Sequence, residues 1–232
     1  YNMAVMPYQG FYIGFPVLFN VVGTNAPPHM NHSRISQIEL TVSRDLYNWE
    51  RVGDRGLFIA LEQWDSKNYG CTENLLSGQP IVREDGEIWV YYNALRGNNR
   101  NRDKEFFRLN VDPDILNDGG ALNLAKLPMD RFVSLDADQA GTITTKPFMM
   151  NGEDLYVNAE ANWGEIYVEI IDAETMKPFP GFWVPAELPA PLTGDHLRAK
   201  INWKPKHDLV FEKPVRIKFY MHQARLYSFW LE

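Results

Sequence analysis

The sequence predicts an all-β protein built in two parts. Alternation of apolar and polar residues, which is the period of a strand, outscores helical periodicity along the whole chain. Two segments of the first half repeat one strand–turn–strand plan and align at Gly10 and Gly86, which is typical of a β-propeller. From Arg131 onward the predicted strands follow one another more closely, as in a β-sandwich. We therefore expect two domains, residues 1–127 and 131–232.

The first half reads as two copies of a propeller blade. The first copy ends in a turn closed by Trp49, and the second contains the turn Glu84-Asp85-Gly86. Strands joined by such short turns are the unit from which a propeller is repeated. The predicted strands of this half span residues 3–6, 11–20, 35–43, 79–83, 87–94, 106–111 and 122–127.

The second half is organised around a predicted antiparallel meander at residues 141–172. A β-branched run leads to Asn151-Gly152, a strong hairpin signal because both residues tolerate a positive φ. Alternation follows in residues 155–160 and again in 166–170, with a second turn predicted at Asn162-Trp163-Gly164. Further strands are predicted at residues 132–135, 181–184, 197–203, 215–221 and 226–231.

Composition excludes several classes of protein. The net charge of −7 argues against a nucleic-acid partner, since phosphate binding needs a basic surface. No apolar run approaches the roughly 20 residues of a membrane-spanning helix. A single cysteine, Cys71, cannot form an internal disulfide. Residues 1–6 are already strand-like and lack an initiator Met, so we expect the C-terminal part of a longer protein.

Four segments of the second half carry a family likeness. They resemble the C-terminal β-sandwich, jelly-roll-like in type, of bacterial glycoside-hydrolase-like proteins. The segments are DRFVSLD (130–136), GTITTKPF (141–148), LYVNA (155–159) and ARLYSF (224–229).

Segments of the first half are similar to the blades of the five-bladed propeller that precedes this sandwich, a propeller like those of invertases and arabinanases. They are SRD (43–45) with WER (49–51), WDS (64–66) and IWVYY (88–92). The resemblance implies a partial propeller whose N-terminal blades are missing partners of this chain. It also implies an oligosaccharide or polysaccharide substrate, hydrolysis of glycosidic bonds, no cofactor, and a secreted or periplasmic location.

Glycosidases need two carboxyl groups across the scissile bond. Glu73 precedes the inner strand of the second blade and is our candidate for one of them, with a solvated loop glutamate as the alternative. Asp65, in the family-like Trp64-Asp65-Ser66, is our second catalytic candidate, and it could instead bind substrate or cap its turn. The candidate substrate-binding residues are Asn2, Trp64, Asn74 and His32.

Other polar residues favour structural roles. Asp45, in Ser-Arg-Asp-x-x-x-Trp, is expected to hydrogen-bond its own turn. His29 and His32 lack a third metal ligand in register, so a surface loop is favoured over a metal site. Asp136-Ala137-Asp138 is a weak candidate for a structural Ca²⁺.

The tryptophans of the second half, Trp163, Trp183, Trp203 and Trp230, are read mainly as core residues, with one or two available to stack on a sugar. This leaves an alternative to hydrolysis. The chain is then a non-catalytic glycan-binding or structural sandwich module, or an inactive fragment.

Overall fold

The computed structural model describes residues 2–22, 33–63, 68–76, 78–96, 117–152, 154–182, 191–203 and 209–232. These residues form strands and no α-helix, so the predicted all-β class is confirmed. The chain divides into two compact units, which we call the N-terminal unit (Tyr1–Leu127) and the C-terminal unit (Pro128–Glu232). The division falls next to the predicted junction at residues 128–130.

In its described residues, the N-terminal unit contains a ten-stranded sheet and a 3-10 turn at Gly53–Arg55. Its strands are β1 (Met3–Tyr8), β2 (Phe11–Val22), β3 (Ser33–Glu39), β4 (Thr41–Ser43), β5 (Glu50–Arg51), β6 (Leu57–Ile59), β7 (Glu73–Leu76), β8 (Ile81–Val82), β9 (Glu87–Leu95) and β10 (Gly120–Pro128). The main path runs β10-β9-β7-β3-β2-β4-β5, with β1 on β2, β6 on β3 and β8 on β9.

Strands β1, β2, β4 and β5 form an antiparallel meander. The β1–β2 turn consists of Gln9 and Gly10, which both have positive φ, as a two-residue hairpin loop requires. The strand predicted at residues 35–43 is in fact two, β3 and β4, which separate at Leu40. The strand predicted at residues 106–111 lies outside the described residues.

The C-terminal unit holds the long strands β13 (Leu155–Asp172) and β16 (Val215–Leu231), which pair along nearly their whole length. Strand β11 (Leu135–Thr144) pairs with β16, and β14 (Leu192–Lys200) pairs with β13. The sheet order is therefore β11-β16-β13-β14. Two short strands, β12 (Asn151–Gly152) and β15 (Leu209–Val210), form a separate pair.

This topology corrects the predicted meander. Asn151 and Gly152 belong to β12 instead of a hairpin turn, and β13 continues through Asn162-Trp163-Gly164 without turning. The strands predicted at 215–221 and 226–231 are one strand, β16. Gly181 and Phe182, predicted to start a strand, lie in a turn. The physical reason is that β13 and β16, which are far apart in sequence, pair with each other. The residue types at a local turn signal carry no information about such pairing.

The core of the C-terminal unit lies on one face of this sheet. Phe219, Ile217 and Val157 are fully buried there, and Trp203 is buried beside Phe182 with its indole N–H donating to the Val168 carbonyl at 3.1 Å. On the opposite face of β13, Asn158 and Glu169 are also buried, whereas Asn162 and Trp163 are exposed.

Candidate functional site

Glu73 lies on β7, between β3 and β9. Its Cα partners are Ser36 on β3, in parallel, and Leu95 on β9, in antiparallel register. Its side chain is half-buried, and both of its sequence neighbours are buried. The Thr72 hydroxyl donates to the Leu95 carbonyl at 3.0 Å. Glu73 is therefore fixed on a paired strand, and the alternative of a solvated loop glutamate does not fit this placement.

Two of the predicted substrate-binding residues have defined surroundings. Asn74 is 1% exposed, its amide donates to the Ala60 carbonyl at 2.9 Å, and its carbonyl oxygen packs against Gly70. Asn2 is exposed, and its carbonyl accepts from the Val17 N–H at 2.9 Å. Asn2 is attached to β2 on its β1 side, so β2 and β3 separate it from Glu73. The sheet brings Asn74 next to Glu73 and does not bring Asn2 there.

The remaining predicted site residues of the N-terminal unit, Trp64, Asp65 and His32, lie outside the described residues, as does His29. Their roles stay predictions.

The Asp45 turn is confirmed as structural. The Asp45 carboxylate accepts from the backbone N–H of Tyr47 at 2.9 Å and of Asn48 at 2.8 Å. These hydrogen bonds, the backbone N–H of Asn48 first, hold the pKa of Asp45 well below its usual range. The Trp49 indole donates to the Leu46 carbonyl at 2.9 Å and closes the turn.

A row of β-bulges crosses the sheet of the C-terminal unit. Register shifts occur between Ala137 and Ala140 on β11, between Glu160 and Glu165 on β13 against β16, and between Ala161 and Ile166 on β13 against β14. On β16, Gln223 has a positive φ of 44° at the same level. Bulges re-aim side chains and are frequent beside active sites, so this row is the candidate functional region of the unit.

The burial pattern shows the same change of register. On β13 the residues of the hydrophobic core fall at odd numbers up to Ala161 and at even numbers from Ile166, where Val168 and Ile170 continue the face. On β16 they change from odd to even between Met221 and Ala224. In both strands, the core-facing residues thus change between odd and even numbers at the same level of the sheet. As a result, the side chains inserted on β13 point away from the core.

Trp163 is the most conspicuous of these inserted residues. Its side chain is 89% exposed, whereas Trp203 is buried and Trp230 is half-buried and stacked on Tyr156 with ring centroids 5.8 Å apart. The core reading is therefore confirmed for Trp203 and wrong for Trp163; Trp183 lies outside the described residues. The bulge is the reason, because it places Trp163 outside the alternating pattern that buries its neighbours.

A shallow hollow of about 140 Å³ lies at this row of bulges. Its walls come from three strands: β11, β13 and β16. The lining residues are Asp136, Ala137, Asp138, Glu160, Asn162, Trp163, Gln223, Ala224 and Arg225. The two alanines give the floor apolar surface, and the remaining residues surround it with hydrogen-bonding groups and one large aromatic ring.

Arg225 is the centre of a charged row beside the hollow. It lies directly opposite Asp136 on β11 and Glu160 on β13, with nitrogen–oxygen distances of 3.6 and 3.5 Å. A hydrogen bond with Tyr227 and then the charges of Glu160 and Asp136 raise the pKa of the Arg225 guanidinium. The Asn162 amide donates to Glu160 at 3.1 Å, which ties the bulge to the row.

Asp138 differs from these residues. Its carboxylate is exposed at the hollow and makes no hydrogen bond or ion pair with any residue in the described part of the chain. Among those residues, no group of three or more His, Cys, Asp or Glu side chains is arranged to hold a metal ion. A Ca²⁺ at Asp136-Ala137-Asp138 stays a prediction.

The sequence analysis singled out the carboxylates at 136 and 138 and the tryptophan at 163, but did not predict that they line one hollow. It missed Glu160, Asn162 and Arg225 altogether. Within residues 155–170, the apolar residues that face the core change from odd to even numbers, and this change is the signal that could have located the bulge. A turn would reverse the chain direction, whereas a change from odd to even within one strand marks an inserted residue.

Neither a known family model nor a curated protein matches this chain. The resemblance to glycoside-hydrolase-like proteins therefore rests only on the sequence segments named above. Within the described ranges, no helix is long and apolar enough to cross a membrane.

Proposed function

We propose that this chain is part of a carbohydrate-active protein and that the hollow beside Trp163 binds a glycan. The observation that supports this proposal most is the 89% exposure of Trp163 on a sheet whose other face holds the core. What sets Trp163 apart from other exposed aromatic residues is that it lines a hollow with hydrogen-bonding groups around it, an arrangement suited to stacking on a ligand.

The chemistry of the hollow suits a sugar. The flat face of an indole can cover the C–H face of a pyranose ring, while its edge stays polar. Around it, Glu160 and Asp138 accept hydrogen bonds from hydroxyl groups, and Asn162 both donates and accepts. Such a site is apolar in the middle and polar at the rim, as small-ligand sites generally are. Because it is shallow and open, we expect a dissociation constant of roughly 0.1–1 mM.

The finer architecture is also part of the proposal. The antiparallel order β1-β2-β4-β5 supports a propeller blade in the N-terminal unit, because four antiparallel strands make one blade. The long β13–β16 pair supports a sandwich-like sheet in the C-terminal unit. The five-bladed ring is then completed by blades from other parts of the protein.

Hydrolysis of glycosidic bonds is the second candidate function. What supports it, besides the resemblance, is the position of Glu73 on a paired strand, half-buried between β3 and β9. Glu73 and Asp65 are the proposed carboxylates at the propeller axis. In this scheme the C-terminal unit holds the polysaccharide while the N-terminal unit contributes to the catalytic site.

The experiment that tests glycan binding is isothermal titration calorimetry with a panel of neutral oligosaccharides. We expect Trp163→Ala to weaken binding about 10- to 30-fold, since covering one indole face removes roughly 80 Å² of apolar surface from water. Tyr47→Ala is the matched control, because Tyr47 is equally exposed at 89% but lies in the N-terminal unit. Equal losses in both variants, or no binding by the wild-type chain, would refute the proposal.

A further inference from the structure

The hollow beside Trp163 has an uneven charge. Three carboxylates (Asp136, Asp138 and Glu160) and one guanidinium (Arg225) line it, so the lining is negatively charged. The guanidinium already faces two of the carboxylates, Asp136 at 3.6 Å and Glu160 at 3.5 Å. Its charge is therefore largely compensated, and an anionic ligand gains little from it.

Asp138 is left as the uncompensated charge. Its carboxylate is exposed, and within the described ranges it has no hydrogen-bonding or ionic partner. It lines the same hollow as Trp163, whose ring face attracts cations through its quadrupole. A carboxylate and an indole that line one hollow form a combination that can recognise an ammonium group attached to an apolar body.

We infer that the hollow selects amino sugars over uronic acids, with Asp138 as the residue that sets this preference. The inference rests on the proposed glycan binding and adds the class of sugar. The indole of Trp163 stacks on the pyranose ring, and the protonated amine of a glucosamine unit pairs with the Asp138 carboxylate. A uronate carboxylate placed there meets a like charge, which is unfavourable.

Three ligands of equal length test the preference: a glucosamine oligomer, its N-acetylated neutral form and an oligogalacturonate. Each is titrated calorimetrically into the whole chain. An exposed ion pair contributes modestly, so we expect the glucosamine oligomer to bind about two- to fivefold more tightly than the neutral form, and the galacturonate to bind most weakly. The advantage of the amine should shrink as salt is raised, because salt screens exposed charges.

Asp138→Asn, which keeps an oxygen that can accept from a hydroxyl group but loses the charge, should abolish the difference in affinity between the amine and the neutral form. The matched control is Glu212→Gln, which removes an exposed carboxylate near the start of β16. The stretch of strand from Val215 to Gln223 alone spans roughly 26 Å, so this charge is remote from the hollow. Glu212→Gln should leave the preference unchanged.

Equal binding of the amine and neutral forms, or tightest binding of the galacturonate, overturns this inference and leaves glycan binding intact. Absence of binding to every oligosaccharide, neutral ones included, overturns both. If Asp138→Asn fails to fold, the ranking of the three ligands by the wild-type chain decides the matter.

Discussion

Gly164 on β13 lies directly against the backbone of His222 on β16. A Cβ placed on Gly164 would stand 1.7 Å from the His222 carbonyl oxygen and 2.6 Å from that of Gln223. No side chain fits this space, because both obstacles are backbone atoms of a paired strand. The bulge that carries Trp163 outward thus depends on a glycine at this position.

Gly164→Ala should destabilise the C-terminal unit by about 2–4 kcal/mol, because either the bulge must rebuild or the β13–β16 pair must separate locally. Urea unfolding monitored by circular dichroism measures this loss. Gly141→Ala on β11 is the control, since its added Cβ would meet only the Cβ of Ala137, at 3.3 Å. Similar stabilities for the two variants would show that the bulge tolerates a side chain.

Arg51 and Glu39 form the second relationship to test. The Arg51 guanidinium donates to both carboxylate oxygens of Glu39, at 2.7 and 2.5 Å, and the Glu39 side chain is only 7% exposed. Arg51→Met should cost about 2–3 kcal/mol of unfolding free energy, since it leaves a buried carboxylate without its partner. Adding Glu39→Gln should recover part of that loss. A double variant that is no more stable than Arg51→Met would contradict a pairing role.

Asp172 should make unfolding of the C-terminal unit sensitive to acid. Its ion pair with Lys213, followed by hydrogen bonds from the backbone N–H of Thr175 and Glu174, holds the pKa of the carboxyl below its usual range. A lowered folded-state pKa gives stability that is present above about pH 4 and lost as the pH falls below it.

Melting temperatures between pH 6 and pH 2 test this dependence. The wild-type chain should lose stability more steeply than Asp172→Asn, which keeps an oxygen acceptor but has no charge to neutralise. Glu212→Gln serves as the comparison, because Glu212 is an exposed carboxylate in the bend before β16. Parallel curves for the wild type and Asp172→Asn would show that this carboxyl does not contribute to acid sensitivity.

Glu73→Gln tests the hydrolysis candidate. If Glu73 acts as the acid or base, its loss should lower turnover of an oligosaccharide substrate by roughly 10²–10⁴-fold while leaving the melting temperature unchanged. Glu62→Gln, at an exposed position of the same unit, should retain activity. A reducing-sugar assay provides the measurement. Full activity in Glu73→Gln would move the assignment to Asp65.

Local patterns in the sequence predicted the strand class and the tight turns. Alternation in residues 155–160 and the hydrogen-bonding power of Asp45 act over a few residues, so both can be read directly from the sequence. The pairing of β11 with β16 could not be read, because it joins Leu135 to Leu226 and depends on register across the unit.

The candidate site was hidden for the same reason. Asn162-Trp163-Gly164 has the composition of a turn, and only the continuation of β16 on the other side makes it a bulge instead. Asp138 and Trp163 line one hollow because β16, which is distant from both in sequence, pairs with both of their strands. The chemical role of each residue could be predicted from the sequence, whereas their placement in one hollow depends on how the strands pair.

The central claim is that Trp163 contacts the glycan. Titration of the isotope-labelled chain with a neutral oligosaccharide, followed by the indole N–H resonances of its seven tryptophans, tests this most directly. Trp163→Phe identifies the Trp163 resonance by its disappearance. We predict that this resonance shows the largest shift on titration, with the Trp49 and Trp89 resonances unchanged. A largest shift at Trp49 or Trp89, or no shift at Trp163, would contradict the account.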